Sequence, residues 1–140
     1  IKNNKKTCTL FYLCYTTGIM GLDQYAKQVK RDYDHETLTS TTVKTEIAYW
    51  RKHNQLEIYM AALYRTKTDD MGEFNCKNVE LTVDDLATLE EVIKSGNLPI
   101  DSFLDYTDDS KEYKEADLEF IEKARKAIDN GYEIEYTSWW

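Results

Sequence analysis

Proline occurs once and glycine five times in 140 residues, so the chain lacks the material for a long flexible linker, a collagen-like repeat or a low-complexity tail. Cysteine is scarce and odd in number. Cys8, Cys14 and Cys76 make neither a paired disulfide framework nor a Cys-x-x-Cys ligand pair, and that usage suits a reducing cytoplasm. The two histidines, His35 and His53, have no second His or Cys at ligand spacing, so no metal is expected. The glycines stand singly, and neither a phosphate-binding loop nor a dinucleotide fingerprint is present. With no Gly-x-Ser-x-Gly elbow and no His-Glu-x-x-His either, no cofactor is expected.

Long apolar runs are missing too, and with them any segment of the roughly 20 residues that a membrane-spanning helix needs. Residues 2–6 followed by 7–20 have the outline of a charged and then apolar leader. Thr7, Thr9, Thr16 and Thr17 break the apolar part, however, and no Ala-x-Ala site follows. The aromatic and β-branched content of residues 7–17 predicts a strand instead. Positive charge is the last shortage, with 18 Lys and Arg against 26 Asp and Glu for a net charge of -8. Residues 1–31 hold six bases and one acid, residues 32–100 seven and thirteen, and residues 101–140 five and twelve. So acidic a body repels a phosphate backbone, and no nucleic-acid partner is expected; the same charge keeps a small protein soluble.

What remains is ordinary globular composition, 41% hydrophobic and 31% charged, in a chain whose length fits a single domain over residues 1–140. Local signals place three helices. In Leu81-Thr82-Val83-Asp84-Asp85-Leu86, Thr82 and Asp85 have capping-box spacing and Leu81 and Leu86 occupy the staple positions. Leu86, Leu89 and Ile93 then recur at helical spacing until Gly96 and Pro99 end the helix. A longer helix runs from Asp109 and Glu112 through Tyr113, Phe120, Ile121, Ala124 and Ile128 to Asn130-Gly131. The third, over about residues 53–65, carries Leu56, Tyr59, Met60 and Leu63.

Strands are predicted over residues 41–50, over 132–136 with a half-buried alternation, and over 74–81 with a β-bulge near Lys77-Asn78 that repairs a switch of parity. Residues 22–31 read as a further strand, with a helix as the alternative, and residues 101–110 as an acidic loop. The order, strand, strand, helix, strand, helix, helix, strand, lacks the regular alternation of a doubly wound fold. It predicts an α+β fold, a mainly antiparallel sheet of four to five strands with about three helices packed on one face.

Chemistry is harder to read. The densest polar and aromatic stretch is Tyr49-Trp50-Arg51-Lys52-His53-Asn54, where a strand end meets a helix start. Strand parity puts Tyr49 and Arg51 on one face and Trp50 and Lys52 on the other. An arginine beside free helix-terminal amides makes an anion site, with a tryptophan to stack a planar group. The competing interpretation makes Trp50 core, Arg51 and Lys52 solvated, and His53 or Asn54 a helix cap. Cys76 with His53 forms an imaginable nucleophilic pair, against the commoner role of a cysteine as a small buried hydrophobe. The carboxylates Asp101, Asp105, Asp108, Asp109, Glu112 and Glu115 match no calcium-loop spacing. At the other end, Trp139 of the Trp139-Trp140 pair is expected to be packed.

Several segments together resemble a family of small bacteriophage proteins, including some from marine phages. They are Gly21-Leu22-Asp23-Gln24-Tyr25, Tyr49-Trp50-Arg51-Lys52-His53-Asn54, Glu73-Phe74-Asn75-Cys76, Leu98-Pro99, residues 113–128 and Ser138-Trp139-Trp140. The resemblance covers about residues 20–140, and since family members commonly begin at a methionine matching Met20 it implies that residues 1–19 are either an N-terminal extension or upstream read-through. It departs after Pro99, where family members carry a Gly-Phe-Phe-Phe-Gly-like stretch and this chain reads Ile100-Asp101-Ser102-Phe103-Leu104. Some members bear the label phosphoglycerate kinase, which does not suit a chain without two lobes or a phosphate loop. The resemblance implies a viral accessory protein in the host cytoplasm. The leading expectation is a non-enzymatic binding protein that engages a host protein or a small anionic ligand. Its contact residues are Trp50, Arg51 and His53, joined on the strength of the resemblance by Asp23, Tyr25, Asn75 and Trp139. The alternative is a small hydrolase or transferase using Arg51, His53 and Asn75, with or without Cys76. Self-association into a homo-oligomer through an exposed sheet edge or aromatic patch is the third reading.

Overall fold

A computed structural model describes residues 21–100 and 110–140. The strand expected at residues 7–17 and the acidic loop before Ser110 lie outside the described residues. The elements run β1 (Asp23–Asp34), β2 (Thr39–Arg51), α1 (Asn54–Lys67), β3 (Asn78–Leu81), α2 (Val83–Lys94), α3 (Ser110–Asp129) and β4 (Glu133–Trp139). All strand pairs are antiparallel and the sheet order is β2-β1-β4-β3. This is the α+β fold expected, with four strands and three helices among the described residues.

Alternation on the two central strands sorts side chains between faces. Gln24 and Ala26 of β1 lie opposite Trp50 and Ala48 of β2 and opposite Ser138 and Tyr136 of β4. Ala26, Trp50, Tyr136 and Ile134, with Val79 and Leu81 of β3, join one hydrophobic cluster with Leu56 and Met60 of α1, Leu86, Leu89 and Ile93 of α2, and Phe120, Ile121 and Ala124 of α3. All three helices therefore pack on the same face. Asp23, Tyr25 and Lys27 point to the opposite, outer face.

Each helix terminus follows from its own residues. Thr82 caps α2, its hydroxyl accepting from the Asp85 backbone N–H while the Asp85 carboxylate accepts from the Thr82 backbone N–H. Gly96, at φ 70°, turns the chain out of α2, and Asn97 N–H reaches back to the Val92 carbonyl. Gly131, at φ 87°, does the same after α3.

Two strand expectations need correction. The parity switch before β3 is not made by a bulge near Lys77-Asn78. A turn makes it, with Lys77 N–H bonded to the Phe74 carbonyl and Cys76 at φ 59°, so that the strand starts only at Asn78. The bulge of this sheet lies instead between β1 and β2, where the register shifts between Ala26 and Lys27. Nor is β4 half-buried: residues 134–138 are all buried. On the outer face Lys44 reaches Glu135 at 2.6 Å, and Thr137 Oγ1 donates to the Lys77 carbonyl.

Candidate functional site

The end of β2 decides how the expected contact residues divide. Arg51 and Tyr49 face outward, while Trp50 faces the helices and is 2% exposed. Trp50 thus lies on the face opposite Arg51, as strand parity predicts, and cannot stack a ligand beside it. Its ring packs edge-on against Phe120, and its Nε1–H donates to Asp117 Oδ1 at 2.9 Å.

The outer face gathers four of the seven expected residues. Tyr25 of β1 lies directly opposite Tyr49 of β2, with ring centroids 5.2 Å apart, and Trp139 of β4 flanks it at 6.0 Å. Asp23, one side-chain step along β1, accepts from the Tyr49 hydroxyl at 2.6 Å and has Arg51 Nη1 at 3.7 Å. Lys27, one step the other way, places its ammonium 5.8 Å from the Tyr25 ring centre. Tyr49 is 46% exposed, and Tyr25 and Trp139 are half-buried. Trp139 is packed, as expected. Partial burial raises the Tyr25 hydroxyl above the usual tyrosine value, assisted by Asp23 and Glu46. The Tyr49 hydroxyl is also raised, chiefly by its hydrogen bond to Asp23. Both rings therefore stay neutral through the physiological range. A hollow of about 140 Å³ between β2 and α3 borders Tyr49.

His53 belongs to the inner face. It stands at the N-cap position of α1 but makes no side-chain cap there. Its ring is fully buried, stacked on Tyr113 at 4.2 Å, with Nε2 2.8 Å from Asp117 Oδ2. Because a carboxylate only accepts, that nitrogen is the protonated one, and Nδ1 is buried with no hydrogen-bond partner. Gln24 clamps the His53 main chain from β1, accepting from its N–H and donating to its carbonyl, both at 2.9 Å. The same amide donates to the Tyr136 hydroxyl at 2.7 Å, and Tyr136 donates in turn to Glu57 Oε2 at 2.7 Å. Glu57 also accepts from Ser138 Oγ at 2.6 Å and Trp140 Nε1 at 3.3 Å. Burial nevertheless raises the Glu57 carboxyl above its ordinary value. Burial, then the Glu57 charge, pushes the Tyr136 hydroxyl well up.

Asn75 serves the main chain, its amide donating to the Trp140 carbonyl at 2.6 Å and accepting from the Trp140 N–H at 3.0 Å, as a paired strand would. Cys76 is disulfide-bonded, so it offers no free thiolate. Arg51, His53 and Asn75 thus engage an outer-face aspartate, a buried aspartate and a terminal backbone respectively, and the hydrolase or transferase reading loses the convergence it requires.

No family model, curated protein or solved structure matches the chain. Among the described residues no group of His, Cys, Asp and Glu could hold a metal ion, and no helix is long and apolar enough to cross a membrane.

Sequence reasoning missed Tyr49 as a binding candidate and Gln24, Glu57, Tyr113 and Asp117 as members of the inner network. Asp117 did leave a signal: it falls on the apolar stripe of α3, four residues after Tyr113 and three before Phe120, where a charge demands a buried partner. Glu57 left none, since an acid in a first helical turn is ordinary dipole chemistry.

Proposed function

We propose that this protein is a non-enzymatic, phage-type accessory binding protein whose outer sheet face takes a small anionic ligand bearing a planar ring. The observation that carries this reading is the Tyr25, Tyr49 and Trp139 cluster with Lys27 and Arg51 at its margins. Aromatic faces stack planar groups, and the two cations supply charge for an anion on a body that is otherwise acidic. The Asp23 carboxylate is engaged by the Tyr49 hydroxyl and lies near Arg51, which reduces its repulsion of such a ligand. Phage origin rests on the resemblance of the segments around Tyr25, Trp50, Asn75 and Trp139. A host-cytoplasmic location, expected from the cysteine count, stands against the disulfide at Cys76, because such bonds persist mainly in oxidising compartments.

Titration calorimetry and thermal melts against nucleotides, which are planar and anionic, and sugar phosphates, which are anionic only, test the reading. Nucleotides should bind more tightly than sugar phosphates. Tyr25→Ala should weaken that binding about tenfold, the upper end of what one aromatic pair contributes, with little change in melting temperature. Absence of heat and of a melting shift with every compound would overturn it.

A further inference from the structure

Beyond Val29 the sheet narrows. β4 pairs with β1 only over residues 23–29, so the remainder of β1 and the facing part of β2 continue as a two-stranded ribbon in which every residue from 30 to 46 is exposed. The turn at its tip is well built: Asp34 Oδ1 accepts from the Glu36 N–H at 2.9 Å, and Leu38 takes φ 53°. Tyr33, Leu38 and Val43 are nonetheless more than half exposed on it. Two strands with both faces wet are marginal in water, and three or more are needed for independent stability.

Among the described residues β2 ends the sheet order, and no described strand lies along its outer edge. Edge strands are usually protected by proline, by bulges or by closely spaced charges. Here residues 39–43 read Thr-Ser-Thr-Thr-Val, uncharged and strand-favouring, and the β1–β2 bulge lies nearer the core, leaving the register regular from Thr39 to Glu46. Charge also singles out this region. Residues 27–46 carry four bases, Lys27, Lys30, Arg31 and Lys44, against four acids, Asp32, Asp34, Glu36 and Glu46, on a chain of net charge -8. Two copies that repel each other elsewhere meet here without net repulsion.

We propose that β2 pairs with β2 of a second copy of this chain, antiparallel about a two-fold axis at Val43, joining the two sheets into one. The axis at Val43 places the two exposed Val43 side chains together. It sets Thr42 opposite Lys44, Thr41 opposite Thr45 and Ser40 opposite Glu46 of the second copy, so no charged residue meets its like. A foreign strand would gain the same backbone bonds but not this self-complementary pattern. Pairing also turns each two-stranded ribbon into part of a four-stranded one.

Sedimentation velocity on the full chain, over a wide concentration range, measures the association. Within the chain Val43 faces Lys30 and Ser40 faces Tyr33. Val43→Glu should therefore leave the ribbon intact, with a new attraction to Lys30, while setting two like charges together at the axis. Its dimer should be at least tenfold weaker. Ser40→Lys, placed opposite Glu46 of the second copy, should tighten the dimer, and Ser40→Glu should loosen it, each by a few-fold because the contact occurs twice. Circular dichroism verifies that all three variants are folded. A wild-type chain that stays monomeric up to about 1 mM, the weak limit of specific association, would overturn the proposal. So would a dimer indifferent to Val43→Glu, or equal responses to the two Ser40 variants.

Discussion

Gln24 and Tyr25 are neighbours on β1, yet one step along the chain separates two kinds of construction. Gln24 is fully buried and spends its amide on the His53 main chain and the Tyr136 hydroxyl. Tyr25 is half-buried and meets other rings. On the inner face most polar groups are connected to one another, His53 Nδ1 and Gln55 Oε1 excepted, because an unmade hydrogen bond there costs its full desolvation. On the outer face Tyr25 and Trp139 are half-buried and Tyr49 is exposed, so around these rings water can satisfy what the protein leaves open and the same strands can carry a surface shaped for something else. Stability should therefore respond to inner-face changes and binding to outer-face ones.

The sharpest test of that division is Asp117, which accepts from both Trp50 Nε1 and His53 Nε2. Asp117→Ala strips two buried donors of their acceptor at once and should cost about 2–5 kcal/mol in urea unfolding. Asp117→Asn should cost clearly less. Its carbonyl can still accept from Trp50, and its amide can donate to His53 Nε2 once the imidazole moves its proton to Nδ1. Equal losses for the two variants would mean that Asp117 acts by charge rather than by accepting hydrogen bonds.

Glu57 sharpens the comparison through pH. Its folded pKa is raised by burial, so the neutral carboxyl suits the fold better than the carboxylate does. A group raised in this way contributes stability that is fully present below its unfolded pKa and is lost as pH rises through the folded value. Glu57→Gln has no such dependence, and its stability relative to the natural chain should improve from about pH 4 upwards, the ordinary glutamate value marking the lower edge of the window. Glu57→Ala lacks the titrating group too and follows the same pH trend, but it deprives Tyr136, Ser138 and Trp140 of their common acceptor and should lie about 2–4 kcal/mol below Glu57→Gln at every pH. Denaturant titrations at a series of pH values separate the trend from the offset.

How much of this was legible in the sequence depended on how far apart the interacting residues are. The capping box of α2 sits within four residues, and the stripe of α3 repeats every turn, so both were readable with their ends. The order of elements followed, and with it the α+β fold. The parity of Tyr49, Trp50 and Arg51 was also legible, but not what each face would meet, because Asp117 is 67 residues from Trp50. Only folding shows that the Tyr49 hydroxyl reaches Asp23, 26 residues away, or that Asn75 holds a terminus 65 residues on. The turn at Cys76 was misread as a bulge for a related reason. A switch of parity marks an irregularity but not its geometry, and a left-handed residue ahead of the strand repairs the facing as well as an inserted one does.

Asp70 supplies the smallest effect and the outer limit of the comparison, a polar cluster that water reaches. The Lys77 ammonium at 2.6 Å, with the Gly72 N–H and the Tyr64 hydroxyl, holds its carboxyl down to about 2. A depressed carboxylate contributes stability above its unfolded pKa and loses it as pH falls through the folded value, so this contribution should fade between about pH 4 and pH 2. Both side chains of the pair are about a third or more exposed, and solvent screening keeps the contribution small. Asp70→Asn should flatten the stability profile between about pH 4 and pH 2 while changing little at neutral pH, measured by circular dichroism in dilute salt. A neutral-pH loss comparable to that of Asp117→Ala would show that exposed and buried carboxylates contribute alike in this protein, and the distinction between the two faces of the sheet would then have no energetic basis.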